Sequence, residues 1–193
     1  AGVREVVINT SWLADQFPKV LGDGSPWGVK ITYSYEGTKP LETGGGMLHA
    51  LPLLGEAPFL LVNGDVWTEY DFSELPREPT GLAHLVMVDP PPQAPLGDFA
   101  LQANGTLHDT GSPRLTYAGI GLYRPELLTG WRLHAAGQEA GDGNAAPRFP
   151  LAPILRAHMA GGHIHGEHHR GQWTDVGTPQ RLSELDQALR SSS

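Results

Sequence analysis

PFLLVNGD, residues 58–65, is the most constraining stretch of this 193-residue chain. Five apolar residues run without a polar interruption and then stop at Asn63-Gly64-Asp65. A continuous apolar run of strand length is what a central strand needs when it is covered on both faces. GLAHLVMV (81–88) reads alike, EVVIN (5–9) is a β-branched run that predicts a buried strand, and VKITYSYE (29–36) alternates as a strand does. Between them lie helix-length stretches, WLADQFPKVL after Ser11 and MLHALPLL after Gly44-Gly45-Gly46. Ser11 is placed to cap the first, which Pro18 shortens or kinks. Strand and helix in alternation predict βαβ units, an α/β fold and a mostly parallel sheet.

Beyond residue 90 the punctuation is denser. PPPQAP (90–95) predicts a loop, DFALQANGTL (98–107) a hairpin at Asn104-Gly105, and LTYAGIGLY (115–123) a strand carrying two glycines. AAGQEAGDGNAAPRF (135–149) reads as a polar loop and PLAPILRAHMA (150–160) as a helix. HIHGEHHRGQWTDV (163–176) predicts a pair of strands. TPQRLSELDQALR (178–190) predicts a closing amphipathic helix, with Thr178 as cap and Pro179 at its first position.

Composition narrows the chemistry. Thirteen basic against 21 acidic residues give a net charge of -8, which argues against a nucleic-acid-binding face. A small phosphorylated ligand remains compatible, since a metal ion can supply positive charge locally. With no cysteine, disulfides and thiolate metal sites are excluded; a cytoplasmic location away from membranes is the expectation. The length suits a single domain over residues 1–193.

Two acids stand where ligands bind in such sheets. Asp65 ends a strand and either holds Mg²⁺ through one oxygen or begins a turn. Asp175, in WTDVGT (173–178), lies where a strand gives way to a helix and could equally serve as a cap. The three glycines allow close approach of a ligand to a helix start, or form a flexible loop. No Gly-Lys-Ser/Thr follows them, so they are not a Walker loop. GDGNAA (141–146) matches a dinucleotide pattern by letter only, with no strand before it. Five of nine histidines fall between His158 and His169, and His163 and His165 share a strand face. They predict a solvated face in preference to a transition-metal site.

PLETGGG, FLLVNGDVW, LTYAGIGLY and GEHHRGQWTDVGTPQRL, in that order, resemble the sugar-nucleotide nucleotidylyltransferases. The resemblance implies a Rossmann-like nucleotidyltransferase sandwich. It implies attack of a sugar 1-phosphate, N-acetylmuramate 1-phosphate for peptidoglycan recycling, on UTP, giving a UDP-sugar and pyrophosphate. Asp65 and Asp175 would share Mg²⁺; Glu42, Thr43, Gly44, Gly45 and Asn63 would bind the nucleotide. Asp98, Gly119 and Ile120 would face the sugar. Members of the family carry an opening strand and a loop of the form L-A-A-G-x-G-x-R-M-x-P-L-T, followed by a Lys-Pro pair. This sequence has none of these, so the expectation is an N-terminally truncated domain lacking its first strand and phosphate loop, with impaired transfer. The alternatives are another hexose 1-phosphate as substrate, or a paralogue that binds nucleotide or a partner without turnover.

Overall fold

The computed structural model describes residues 2–134 and 146–191. Most of GDGNAA and much of the polar stretch 135–149 lie outside the described residues. The chain divides into two compact units, Ala1–Phe59 with Arg124–Gly161, and Leu60–Tyr123 with Gly162–Ser193.

The first unit opens with β1 (Glu5–Thr10), α1 (Gln16–Leu21), β2 (Lys30–Tyr35) and α2 (Glu42–Leu54). The β-branched run of β1 pairs in parallel with β2 from Glu5↔Lys30 to Thr10↔Tyr35. α1 begins at Gln16, later than the sequence suggests. Pro18 has no N–H, and its ring would strike the carbonyl four residues earlier, so it fits only in a first turn. Ser11 makes no cap; its hydroxyl donates to the Gly37 carbonyl at 2.9 Å. The three glycines do not precede α2 but lie within its first turns, all buried. Near the other end of this unit, Trp131 stacks on Phe149 with ring centroids 4.4 Å apart. Leu127, Leu128, Ile154 and Leu155 are buried beside this part of the chain.

The second unit is built on a mixed sheet. β3 (Phe59–Val62) and β4 (Val66–Thr68) flank Asn63-Gly64-Asp65. β5 (Ala83–Val88), β6 (Phe99–Leu101), β7 (Leu107–His108) and β8 (Arg114–Tyr123) come next. After α3 (Ala152–Met159) of the first unit, β9 (Ile164–His168), β10 (Trp173–Asp175) and α4 (Pro179–Ser191) complete the order. The main sheet runs β7-β6-β8-β5-β9, with β3 also on β8. β5 pairs in parallel with β9 and antiparallel with β8. The α/β class is as expected, but most ladders in this unit are antiparallel because the hairpin at Asn104-Gly105 and β8 both reverse direction.

Two details depart from the sequence reading. β9 and β10 do not pair with each other: β9 lies on β5, and β10 pairs antiparallel with β4. β9 buries Ile164 and Gly166 and ends the main sheet beside β5, while the half-buried β10 serves the short ladder with β4. The FLLV strand is half-buried, not sealed on both faces, and Val62 is 44% exposed. Tyr70, Val86, Val88, Ala118 and Ile120 form a core against which Leu60, Val66 and Trp173 pack. That core fixes the strands carrying both candidate acids.

Candidate active site

Asp65 and Asp175 are brought together by the β4–β10 ladder. Asp175 pairs in register with Val66, the residue after Asp65, and the Val176 N–H donates to the Asp65 carbonyl at 2.7 Å. Trp173 anchors β10 by donating its indole N–H to the Ala118 carbonyl at 2.9 Å, while its ring meets the core. The chain then passes through Gly177 to a bend at Thr178. A methyl group placed on Gly177 would lie 3.0 Å from Asp65 Oδ2 and 4.0 Å from Asp175 Oδ1. Both carboxylates therefore face one small space, kept open by a missing side chain.

The charges there are unevenly satisfied. Arg181 Nη1 stands 2.5 Å from Asp175 Oδ1. Yet Asp175 Oδ1 and Arg181 Nε are buried atoms without a hydrogen bond among the described residues. Proximity and alignment disagree: the pair attracts as charges but lacks hydrogen-bond directionality. A buried carboxylate oxygen without a hydrogen-bond donor is costly unless something else binds it. This donor set fits a hard divalent cation that keeps waters and phosphates as its remaining ligands. Among the described residues no cluster of three or more His, Cys, Asp or Glu side chains forms an all-protein metal cage.

The other expected residues have clear places. In the second unit, β8 carries a register shift opposite Leu85 to Met87, so Ala118–Ile120 bulge away from β5. At the bulge Gly119 has φ +73°, which favours glycine, and its carbonyl accepts from the Asn63 N–H at 2.8 Å. Asn63 side-chain atoms fill the space a Gly119 methyl would need, the nearest at 2.8 Å. Ile120 is fully buried in the core, leaving only its backbone for a ligand. Asp98 Oδ2 accepts from the Tyr117 N–H at 2.9 Å, which ties the carboxylate to β8.

In the first unit, Thr43 and Glu42 are exposed at the start of α2. Glu42 adopts φ +61°, uncommon for a residue with a side chain. Its carboxylate pairs with Arg148 Nη2 at 2.7 Å, and Arg148 Nε donates to the Pro40 carbonyl. The close approach that Gly44 and Gly45 permit is used by this chain's own atoms. Methyls there would meet the Phe149 ring at 2.6 Å and the Pro147 carbonyl. Backbone bonds from Gly45 N–H to Phe149 O and from Phe149 N–H to Leu41 O complete that clamp.

Sequence reasoning missed Arg181, Arg148 and a polar network on the β5–β9 ladder. There Glu167 accepts from the Tyr70 hydroxyl and lies 3.1 Å from His84 Nε2. Burial, reinforced by Glu167, pushes the Tyr70 phenol above its ordinary range. His168 Nε2 lies 3.0 Å from Asp89 Oδ1. His84 and His168 thus each engage a single carboxylate. Arg181 had a readable signal, since it follows the Thr178 cap by three residues, as its N–H to Thr178 Oγ1 contact at 3.3 Å shows. The other contacts join residues far apart in sequence.

No family model matches the chain. It is 44% identical over 196 residues to the N-acetylmuramate alpha-1-phosphate uridylyltransferase of Neisseria meningitidis serogroup B, covering 98% of this chain and 79% of that protein. The uridylyltransferase of the same name from Caulobacter vibrioides is 30% identical over 195 residues, covering 93% and 75%. A crystal structure assigned as a glucose-1-phosphate thymidylyltransferase from Bacillus anthracis superposes with TM-score 0.71 at 16% identity, covering 95% of this chain and 75% of that one. No helix among the described residues is long and apolar enough to cross a membrane. An acid pair at strand ends, a nucleotidyltransferase fold and these relatives agree, and the chain belongs to the sugar-nucleotide nucleotidylyltransferase family.

Proposed function

We propose that this chain makes UDP-N-acetylmuramate from UTP and N-acetylmuramate 1-phosphate. In the reaction an oxygen of the sugar phosphate attacks the α-phosphorus of UTP. The bond from that phosphorus to the bridging oxygen of the β-phosphate breaks, and pyrophosphate leaves with its electron pair. The nucleophile is already an anion near neutral pH, so the site needs no general base. Its tasks are alignment and neutralisation of crowded phosphates. Asp65 and Asp175 would hold a divalent cation, Mg²⁺, which supplies that neutralisation when bound.

The chain's own residues do the positioning. The missing side chain of Gly177 keeps space between the two carboxylates, and the Val176–Asp65 backbone bond holds them in register. The exposed start of α2, Glu42 and Thr43, receives the nucleobase, and Gly44 and Gly45 seat that turn against Phe149 and Pro147. Asn63, Asp98 and the backbone of Gly119 and Ile120 serve the substrates at β8. The observation carrying this reading is the convergence of Asp65 and Asp175 on one space above Gly177. The choice of base and sugar draws on the 44% relative.

The test is pyrophosphate release by the purified chain with UTP, Mg²⁺ and N-acetylmuramate 1-phosphate. Parallel reactions replace the sugar by glucose 1-phosphate or mannose 1-phosphate, and UTP by GTP or dTTP. Preference for UTP with the muramate sugar is expected. Equal or faster turnover with another pair would overturn the assignment of substrates.

A further inference from the structure

Arg181 makes the strongest claim on the acid pair that the proposed reaction leaves unexplained. It lies in the first turn of α4, where the Thr178 cap fixes the backbone. Its guanidinium turns back to stand 2.5 Å from Asp175 Oδ1. Nη2 is 3.2 Å from the point where a Gly177 methyl would sit, the same point that Asp65 Oδ2 approaches to 3.0 Å. One cationic group thus shares with both carboxylates the space a divalent ion would need. We propose that Arg181 is a resident counter-cation, which neutralises Asp65 and Asp175 in the metal-free protein and leaves them when the metal binds.

Three observations support the exchange. The Asp175–Arg181 contact lacks hydrogen-bond alignment, with Asp175 Oδ1 and Arg181 Nε both unsatisfied, so little directional bonding is lost when they part. Arg181 also lines an open cleft of about 730 Å³ beside Trp67, Thr174, Thr178 and Glu184, which gives the guanidinium room outside the acid pair. Arginine stays protonated throughout the working pH range, so proton loss cannot release the site; only displacement can. Without Arg181, like-charged carboxylates would face each other across a space only partly open to solvent.

Displacement has a thermodynamic signature. A cation that must leave before the metal binds weakens metal affinity by the strength of its own contact. For a half-buried pair of this kind, removing the competitor should tighten metal binding about three- to tenfold. The same removal should destabilise the metal-free chain and leave the metal-bound chain little changed.

The experiment uses Mn²⁺ alone as probe, with free Mn²⁺ read by electron paramagnetic resonance and the thermal midpoint recorded with and without the ion. The proteins are the whole chain, Arg181→Met, Arg181→Lys and Asp65→Asn. Tighter Mn²⁺ binding by Arg181→Met, with a lowered midpoint that Mn²⁺ restores, is the expected result. Arg181→Lys should fall between, and it keeps the test open if Arg181→Met does not fold. Unchanged or weaker affinity in both Arg181 variants, or a lowered midpoint that Mn²⁺ leaves unrestored, would overturn the proposal. The inference rests on Asp65 and Asp175 holding the metal, and Asp65→Asn tests that separately. If it binds Mn²⁺ like the parent chain, the metal assignment itself fails; if it loses binding while the Arg181 variants match the parent, only the exchange fails.

Discussion

Glycines shape two regions of this molecule, to opposite ends. In the first turns of α2, the space beside Gly44, Gly45 and Gly46 is filled by Phe149, Pro147 and Arg148, and the Asn9–Glu36 pair. That pair is satisfied: Asn9 Nδ2 donates to Glu36 Oε1 at 2.7 Å and to the Gly46 carbonyl at 2.9 Å, and Leu41 N–H donates to Glu36 Oε2 at 2.8 Å. At Gly177 the space is bounded by two carboxylates and a guanidinium, with Asp175 Oδ1 lacking any hydrogen bond among the described residues. A glycine whose neighbours are satisfied marks close packing. One whose neighbours are charged groups short of hydrogen bonds marks a place kept for a ligand. The first region should answer to mutation through stability, and the second through activity.

The sharpest way to break that contrast is at the acids. Asp65→Asn and Asp175→Asn keep size and remove charge. Each should lower the rate of pyrophosphate release by about 10²- to 10³-fold, as loss of a principal electrostatic element does. The Asp65→Asn midpoint should be unchanged or higher, because a repelling charge is removed, whereas Asp175→Asn should lower it slightly by ending the ion pair with Arg181. A large loss of stability in either variant would show that the acids serve the fold.

Gly45→Ala gives the next largest effect, and it falls on the fold. The added methyl would run into the Pro147 carbonyl, a backbone atom that cannot rotate aside, and into Leu41 Cβ at 3.0 Å. Overpacking of this kind costs about 1 to 3 kcal/mol, and the rigid obstacle puts Gly45→Ala at the upper end. Gly44→Ala meets the Phe149 ring, which is part of a stack with Trp131 and can shift only with it. Urea unfolding curves for the two variants would read the difference.

Gly177→Ala is the matched substitution at the acids. No left-handed backbone opposes alanine there, and the methyl meets Asp65 Oδ2 at 3.0 Å and Arg181 Nη2 at 3.2 Å. Stability should move by less than about 1 kcal/mol, since side-chain ends can yield. Turnover should drop about tenfold at saturating Mg²⁺, because a methyl occupies the space the carboxylates enclose. Equal stability losses in Gly45→Ala and Gly177→Ala would erase the distinction between the two regions.

How legible was this beforehand? Short β-branched runs fixed β1, β2 and β5 closely, because burial on a sheet demands that pattern over a few adjacent residues. Thr178 and Pro179 announced α4 for the same local reason. Asp65 and Asp175 were visible as acids at strand ends, but the ladder joining them was not, since WTD could pair with any strand of its length. The glycines misled most: GGG reads alike whether a ligand or Phe149 fills the gap, and only the distant chain decides. Arg148 and Glu42 meet across a separation that no periodicity spans. Asn63 reads as part of a turn, and its seat against Gly119 depends on a bulge in β8 that the letters AGIG permit without requiring.

The smallest predicted effect concerns pH, and it guards the whole comparison. Activity that declines toward acid pH would be credited to the active site unless the fold itself weakens there. His165 supplies such weakening: partial burial, and then the like charges of His84 and His163, hold its pKa below the ordinary 6.5. A base with a lowered folded pKa stays neutral in the native state while the unfolded chain takes up a proton. Its contribution to stability is therefore complete above about pH 6.5 and declines as pH falls toward the folded value. His165→Gln removes that proton uptake, so its stability should change less than the parent's between about pH 7 and 5, although the two agree in slope above pH 7. Urea midpoints across that range give the test. If parent and variant decline in parallel, His165 has no share in the acid lability.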